Sequence, residues 1–532
     1  MNTKQFITII FQLGLLVSFA LSITGCGPGQ PRVSTATTTA TETPVPTATS
    51  TPAPTLTPTL QPKDREKLIM EVDLQLGAEF LAANLIISPD LQHAANIVQE
   101  KELYVPIVDG KRWQPMEQGH TPVFSPTSQQ IALANFRDGR WRMVINGEEG
   151  PAYEGMGRPV FSPDGQRLAY SVKQDDQWFM TLDGEVGPAY DGLGTDDDFL
   201  GFYGGLLPRF SPNSNRLAYV AQKGNQWFVV VDGQEVGPYQ SIMTGDLIRG
   251  KPQILVDVPP VVFSPDSQRL AFVAQKANQW FLVLDGVETL LPYDGIVFSS
   301  LTFSPDSQQF AYIGEEKGKR FLVINGEEQT AYDHISFFDF SPDGQHTAYA
   351  AKKGTEWIAV VDGQEGPTYD FVAGRFYDTG SPPFFSPDSQ RVVYWTFQDK
   401  KAFVVIDGQE SKPYEDVALP NFSWNSQRVA FAAKQGEKLS VTVDGVEGQE
   451  YDWIGPWIPT SFGNLTGFPI FSPDSEHVAY TAKEGDEWFV VVDGDEGKPY
   501  DVIFRLMFAS EKEIHYVALE GTNLYVVVQA VE

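Results

Sequence analysis

Hydrophobic positions in this chain come in short runs where apolar and polar residues alternate, the period of a half-buried strand, and no stretch keeps the period of an amphipathic helix. The runs return in a fixed order. Residues 471–501, FSPDSEHVAYTAKEGDEWFVVVDGDEGKPYD, hold one full unit. A run ending in the Phe before Ser-Pro-Asp, as in 335–340, predicts a first strand. Ser-Pro-Asp-Ser or Ser-Pro-Asp-Gly predicts a tight turn, because Pro pre-sets φ and the flanking Ser and Asp bond the turn's backbone. A second strand follows (216–220), then a break at 223–226, then the most β-prone run of the unit, 227–231, whose bulky and β-branched residues suit a pleated surface. Asp-Gly or Asn-Gly pairs close these third strands, from Asn146 and Gly147 to Asp493 and Gly494, and predict hairpins with both turn residues at positive φ. A short fourth strand runs into Pro-x-Tyr or Pro-Tyr, as at 188–190.

The Phe of this unit recurs at Phe124, Phe161, Phe210, Phe263, Phe303, Phe340, Phe385, Phe422 and Phe471, most often 37 residues apart, with worn copies at Ile87 and Phe508. Such a period means a propeller, a solenoid or an array. Four antiparallel strands per unit joined by tight turns select propeller blades; a β-helix needs shorter coils without Asp-Gly hairpins, and helical solenoids need helices. The pattern F-S-P-D-S/G-x-x-x-A-Y/F followed by W-F-V-V-V-D-G resembles the WD-like propeller repeat of TolB-type proteins over roughly residues 85–532. The resemblance implies an all-β fold of about eleven four-stranded repeats and no particular chemistry, since propellers host binding, scaffolding and catalysis alike. About eleven units exceed the four to eight blades usual in one ring. Two arrangements are therefore expected: two consecutive rings of five and six blades, dividing the repeats into 63–298 and 299–532, or one unusually large ring. The last unit stops after its third strand, 524–528, so it is either incomplete or closed by an N-terminal strand around 68–72.

The first 25 residues predict an address. Lys4 precedes an apolar run from Phe6 to Ile23 that ends in Thr24, Gly25 and Cys26, small residues before a Cys, the pattern of a signal-peptide cleavage site rather than a stop-transfer helix. This stretch resembles the bacterial lipobox, which implies lipidation of Cys26 and anchoring in the cell envelope, either on the outer side of the cytoplasmic membrane or to the outer membrane. A single transmembrane anchor is the alternative, because the run approaches spanning length. Cys26 is the only cysteine, so disulfides play no part in stability. Residues 26–62 are nearly all Thr, Pro, Ala, Ser and Gly, which bury too little to order and favour extended polyproline II. About 35 such residues reach ~100 Å.

The chain has 38 Lys+Arg against 69 Asp+Glu, a net charge of −31 that repels nucleic acid and anionic headgroups. Membrane attachment is thus expected through lipid. There is no Gly-x-Ser-x-Gly elbow, no His-Glu-x-x-His and no phosphate-binding glycine loop, so no catalytic residue and no cofactor is nominated. The six histidines show no ligand spacing and are expected at the surface or in turns. Asp196 to Asp198 lack the spacing of a calcium loop, so no metal is nominated.

Functional signal is sought where the repeat breaks. Four long insertions, 191–207, 240–259, 371–383 and 452–469, all join a fourth strand to the next first strand, and so emerge on the face that carries the turns between strands two and three. They hold aromatic residues among glycines, and Phe202, Tyr203, Phe376, Tyr377, Trp453 and Trp457 are the candidate contacts for a protein or glycan partner, with plugging of the ring as the competing role. Lysines at the same turns, among them Lys173, Lys223, Lys276 and Lys353, form either a cationic rim or ordinary solvated turns. The third-strand Trp178, Trp227, Trp280, Trp357 and Trp488 share one phase and are expected to pack blade on blade. The function expected is partner binding by a lipid-anchored envelope propeller; the rivals are an envelope hydrolase or lyase and a structural subunit of a TolB-type complex.

Overall fold

The computed structural model describes residues 65–71, 85–194, 207–243, 261–373, 382–455 and 469–531, with the backbone of 247–248 and 251–252. All regular structure among them is β. Eleven antiparallel sheets form, one per repeat. We number them as blades 1 to 11, at 86–112, 118–153, 155–190, 192–239, 241–290, 295–328, 334–369, 371–410, 416–451, 453–496 and 502–530, and call the four strands of each a to d. Strand a is often interrupted, as where Gly155–Met156 and Val160–Phe161 both pair with Leu168–Gln174.

Every joint between neighbouring blades is a mixed apolar layer, and the layers run round a closed circuit. Ala95 and Val108 of blade 1 meet Ile131 of blade 2, and the series continues to Val490 and Val492 of blade 10 against Tyr516 and Ile514 of blade 11. Leu519 and Val526 of blade 11 then pack with Ile87, Leu91 and Ala94 of blade 1. The fold is one ring of eleven blades. The five-plus-six division does not occur, because strand Gly295–Phe303 runs across its boundary and the blade 5 to blade 6 layer joins Ala271, Val273 and Leu282 to Phe310 and Val323.

Among the described residues, seven of the blade-to-blade joints are also stapled by the Ser-Pro-Asp turn or its Asn-bearing equivalent. Within the turn the Ser hydroxyl donates to the Asp carboxylate, at 2.6 Å for Ser88 and Asp90 and 2.6 Å for Ser386 and Asp388. The Asp main-chain N–H then donates across the joint to the hydroxyl of the fourth turn residue of the next blade: Asp90 to Ser128, Asp164 to Ser214, Asp266 to Ser307, Asp388 to Ser426. Those Ser residues sit at φ between 61° and 66°, a region a short polar side chain tolerates better than a bulky one. Gly344 takes this place in blade 7 because a Cβ there would lie 2.6 Å from the Asp306 carboxylate of blade 6.

The second residue after the turn adds a second tie. Arg216 donates to Asp232 of its own Asp-Gly hairpin at 3.0 Å, to the carbonyls of Ser267 and Gln268 in the next blade at 3.1 Å each, and lies 5.2 Å over the Phe263 ring. Arg269, Arg391 and Arg428 repeat this geometry. His93, His346 and His477 stand in the same position and pair with Asp109, Asp362 and Asp493.

Toward the rim, the Tyr of Pro-x-Tyr reaches the next blade's strand d, as Tyr190 to Glu235 at 3.1 Å and Tyr369 to Glu410 at 2.9 Å. The last joint is completed from the other end of the chain. Strand Arg65–Glu71 pairs antiparallel with Asn523–Ala530 as strand d of blade 11, which confirms the expected closure. Its Glu66 accepts from Tyr500 at 2.6 Å and from Lys498 at 2.9 Å, the role Glu235 plays for Tyr190. Glu66→Ala leaves the buried Tyr500 hydroxyl without this acceptor and is expected to cost about 1–2 kcal/mol. Chemical denaturation with Glu71→Ala as control checks it; equal stability of the two variants would remove Glu66 from the closure.

Candidate functional site

Strand b ends and strand c begins at the face from which the insertions emerge, and one residue pair there carries most of the variation among blades. In the regular blades it is a long polar residue against a half-buried Trp: Lys173 with Trp178, Gln222 with Trp227, Gln275 with Trp280, Lys352 with Trp357, Lys483 with Trp488. The expected packing role holds for Trp227, Trp280, Trp357 and Trp488, each of which lies against an inter-blade layer. Blades 1, 2, 9 and 11 carry other pairs, such as Phe136 with Trp141 and Lys434 with Leu439, and blades 6 and 8 depart furthest in chemistry.

In blade 6 the pair is Glu315 and Arg320, joined at 3.2 Å with side chains only 8% and 13% exposed. Arg320 also donates to the Ile335 carbonyl of blade 7 at 3.0 Å, so the guanidinium bridges two blades as the Trp does elsewhere. In blade 8 the large and small members exchange: Phe397 faces Ala402, and Trp395, buried, fills the volume behind them. A chain of rings results. His334 meets Trp357 at 5.8 Å, Trp357 meets Phe371 at 5.8 Å, Phe371 meets Trp395 at 5.5 Å and Trp395 meets Phe397 at 6.2 Å, all tilted or edge-to-face, the preferred aromatic geometry. The Lys352 ammonium lies 5.8 Å over the Trp357 ring. Burial pushes His334 below the usual imidazole range, and the cations Arg320 and Lys352 push the same way against the pull of Glu315. His334 is neutral at physiological pH. The run sits at the root of the third insertion, since Phe371–Ala373 is the strand that enters it.

Of the sequence-nominated contacts, Trp453 lies in strand Trp453–Ile454, half-buried and paired with Lys483, at the register position that His334 holds in blade 7 and Phe371 in blade 8. Phe202, Tyr203, Phe376, Tyr377 and Trp457 lie outside the described residues, as do Cys26, the tether and Asp196 to Asp198. The insertions do leave from the expected face: Asp191 accepts from Gly224 N–H in the turn between strands b and c of the next blade, and Asp452 does the same for Gly485. Several turn lysines are engaged with carboxylates, Lys276 with Glu288 and Lys353 with Glu365 at 2.9 Å each, which does not leave these positions as a free cationic rim.

Three histidines depart from expectation, His515 being one because it lies within strand Glu513–Glu520. His120 is 7% exposed, stacked on Trp141 at 5.4 Å, and burial with help from Arg158 drops it to about 4; His334 belongs to a strand. Among the described residues no three His, Cys, Asp or Glu side chains gather as a metal site. Arg320, Trp395 and Phe397 were not nominated from the sequence, although the first two are readable there as breaks in the repeat: Arg for the Trp of five blades, and Trp where the neighbouring repeats carry Ala, Ser, Thr, Val or Ile.

No family profile and no curated protein matches the chain. Among solved structures it is similar to TolB from Acinetobacter baumannii, with 14% identity and a TM-score of 0.24 over 59% of this chain and 77% of that one. It is also similar to the β-propeller domain of Cps50 (Swd1) from Myceliophteria thermophila, with 11% identity and a TM-score of 0.23 over 54% and 95%. The β-propeller domain of the Trilobed protease from Pyrococcus furiosus matches with 13% identity and a TM-score of 0.24 over 51% and 90%.

The blade 6 pair gives a direct test of how that corner is held. Arg320→Ala strands a buried carboxylate and is expected to cost about 3–5 kcal/mol, whereas Glu315→Lys with Arg320→Trp restores the pair used by the other blades and is expected to return most of that loss. Thermal unfolding of both variants measures it; a double variant no more stable than the single one would show that blade 6 requires its charges for folding.

Proposed function

We propose that this chain is a cell-envelope protein, anchored by lipid at Cys26, whose propeller binds a protein or glycan partner on the face that bears the insertions. The observation that carries the reading is the run of rings from Trp357 through Phe371 and the buried Trp395 to Phe397, at the root of an insertion where regular blade 7 meets irregular blade 8. The repeat meets its own packing needs at most joints with the same few residue types. Side chains that differ between blades answer a different demand, and a rigid scaffold with varied loops on one face is a common way to build a recognition surface. Flat apolar rings beside a lysine and a neutral imidazole suit the stacking and hydrogen-bonding faces of glycans and the aromatic anchors of protein partners alike.

The motive for the anchor is the apolar segment that ends at Cys26, followed by a tether long enough to hold the ring clear of a bilayer. Cys26→Ser is expected to abolish incorporation of labelled palmitate and to release the folded propeller from the membrane fraction. Unchanged labelling would sink the lipoprotein reading while leaving the binding reading open.

Partner binding is tested on the chain without its leader, by glycan array and by crosslinking in envelope extracts. Phe371→Ala combined with Trp453→Ala is expected to weaken the interaction by about 2 kcal/mol or more, the scale of aromatic hot spots, with the melting temperature followed in parallel. A contact map lying wholly on the Ser-Pro-Asp face would place the site elsewhere.

A further inference from the structure

The outer edges of the blades are not alike. A fourth strand at the rim exposes unpaired backbone, and the ring blunts these edges in two ways. In blades 2, 3, 4, 7 and 9 the d strand is broken by a register shift. In blades 1, 6, 8 and 10 only two residues of strand d pair, and the strand that closes blade 11 also carries a shift.

Blade 5 has neither device. Its strand d, Val287–Leu290, pairs in unbroken register with Phe281 to Leu284 and contains no Gly or Pro. The two-residue Asp285-Gly286 turn makes Leu284 and Val287 a hydrogen-bonded pair, and the Leu291 N–H donates to the Trp280 carbonyl at 2.9 Å, so 287, 289 and 291 bond inward. The N–H and C=O of Glu288 and Leu290 are therefore directed away from the blade. Val287 and Leu290, 66% and 46% exposed, flank them.

We propose that the outer edge of blade 5 is a strand-addition site for an extended segment of a partner polypeptide that alternates apolar and basic residues. Donors and acceptors repeating at every second residue of a flat edge are matched by another extended backbone, with affinity from the main chain and selectivity from alternate side chains. The apolar flanks call for apolar partners beside them. The charge of the occupant follows from the chain itself: at −31 it attracts a basic segment and repels a second copy. The site lies on the rim, away from the insertion face, and does not depend on the reading given for that face.

The test uses the full-length chain and an extended peptide of alternating valine and lysine, about ten residues long, with hydrogen exchange read at single residues. Binding is expected to protect the amides of Glu288 and Leu290. Thr289→Gly with Leu290→Pro writes into blade 5 the Gly-Pro found at that place in blades 2, 3 and 7 and is expected to weaken binding at least tenfold while the ring stays folded. The same peptide N-methylated on alternate backbone nitrogens keeps its charge and side chains and is expected to bind at least tenfold more weakly, which keeps the test valid if the double variant unfolds. Equal binding of the methylated peptide would reduce the attraction to diffuse charge and overturn the proposal. So would protection of the two amides that rises with protein concentration in the absence of peptide, because a second copy would then be the occupant.

Discussion

The joint between neighbouring blades is the interaction on which the rest of this molecule depends. A four-stranded antiparallel sheet of this size does not bury enough apolar surface to stand alone, so each blade is stable only through its two neighbours. The joint has to fix spacing and angle as well as supply burial. Near the Ser-Pro-Asp turns the packing is close, with Ala132, Ala169, Ala218, Ala271, Ala311 and Ala348 fully buried at one position of strand b. Larger side chains such as Trp227 and Tyr239 fill the layer farther along the blade. The polar staple from Asp to Ser, and the arginine fork that grips two carbonyls and a ring of the next blade, set the turns of adjacent blades at one repeated offset. An exposed Arg–Asp pair contributes little energy by itself; a planar fork held at three points contributes geometry.

Eleven repetitions of that offset close a ring larger than the usual four to eight blades. More blades mean a smaller rotation at each joint, so neighbouring sheets lie closer to parallel and tolerate flat aromatic layers. The tie from blade 5 to blade 6 shows why the chain does not divide into two rings. Arg269 stacks on Phe303 and reaches the Ser307 carbonyl, while the Asp266 N–H donates to Ser307, the same contacts that join blade 4 to blade 5 and blade 8 to blade 9. A ring boundary would have to leave such a joint unmade. The joint that differs is the last, where blade 11 lacks a Ser-Pro-Asp turn and an N-terminal strand brings Ile69 and Met70 into the layer with Leu91.

The strand order, the turn types and the closing strand were legible because each rests on local chemistry: Pro and Asp in the first turn, Asp-Gly at positive φ in the second, a final repeat one strand short. The number of rings was not, since it depends on the angle at a joint whose residues read the same in every blade. His120 illustrates a second limit. Its neighbours Trp141 and Arg158 come from blades 2 and 3, so its burial is a property of the assembled joint and leaves no mark in the local text. The ring-bearing corner of blades 6 to 8 was readable only by subtraction, by asking where Arg320, Trp395 and Phe397 depart from the polar–Trp pair of blades 3, 4, 5, 7 and 10.

That subtraction separates the residues that make a ring from those that make this ring. The turn Ser and Asp, the gripping Arg or His and the buried Ala recur because each joint imposes the same demand, and changing one costs stability at one place on the circle. Glu315, Arg320, Trp395 and Phe397 satisfy the packing of their joints by other means, a buried ion pair in one blade and an exchange of large for small in another. Two solutions of different chemistry, one blade apart on the face from which the insertions leave, are not dictated by the repeat alone, because the Lys–Trp pair packs the same corner in blades 3, 7 and 10. The same holds at the rim, where one blade forgoes the break that protects the others.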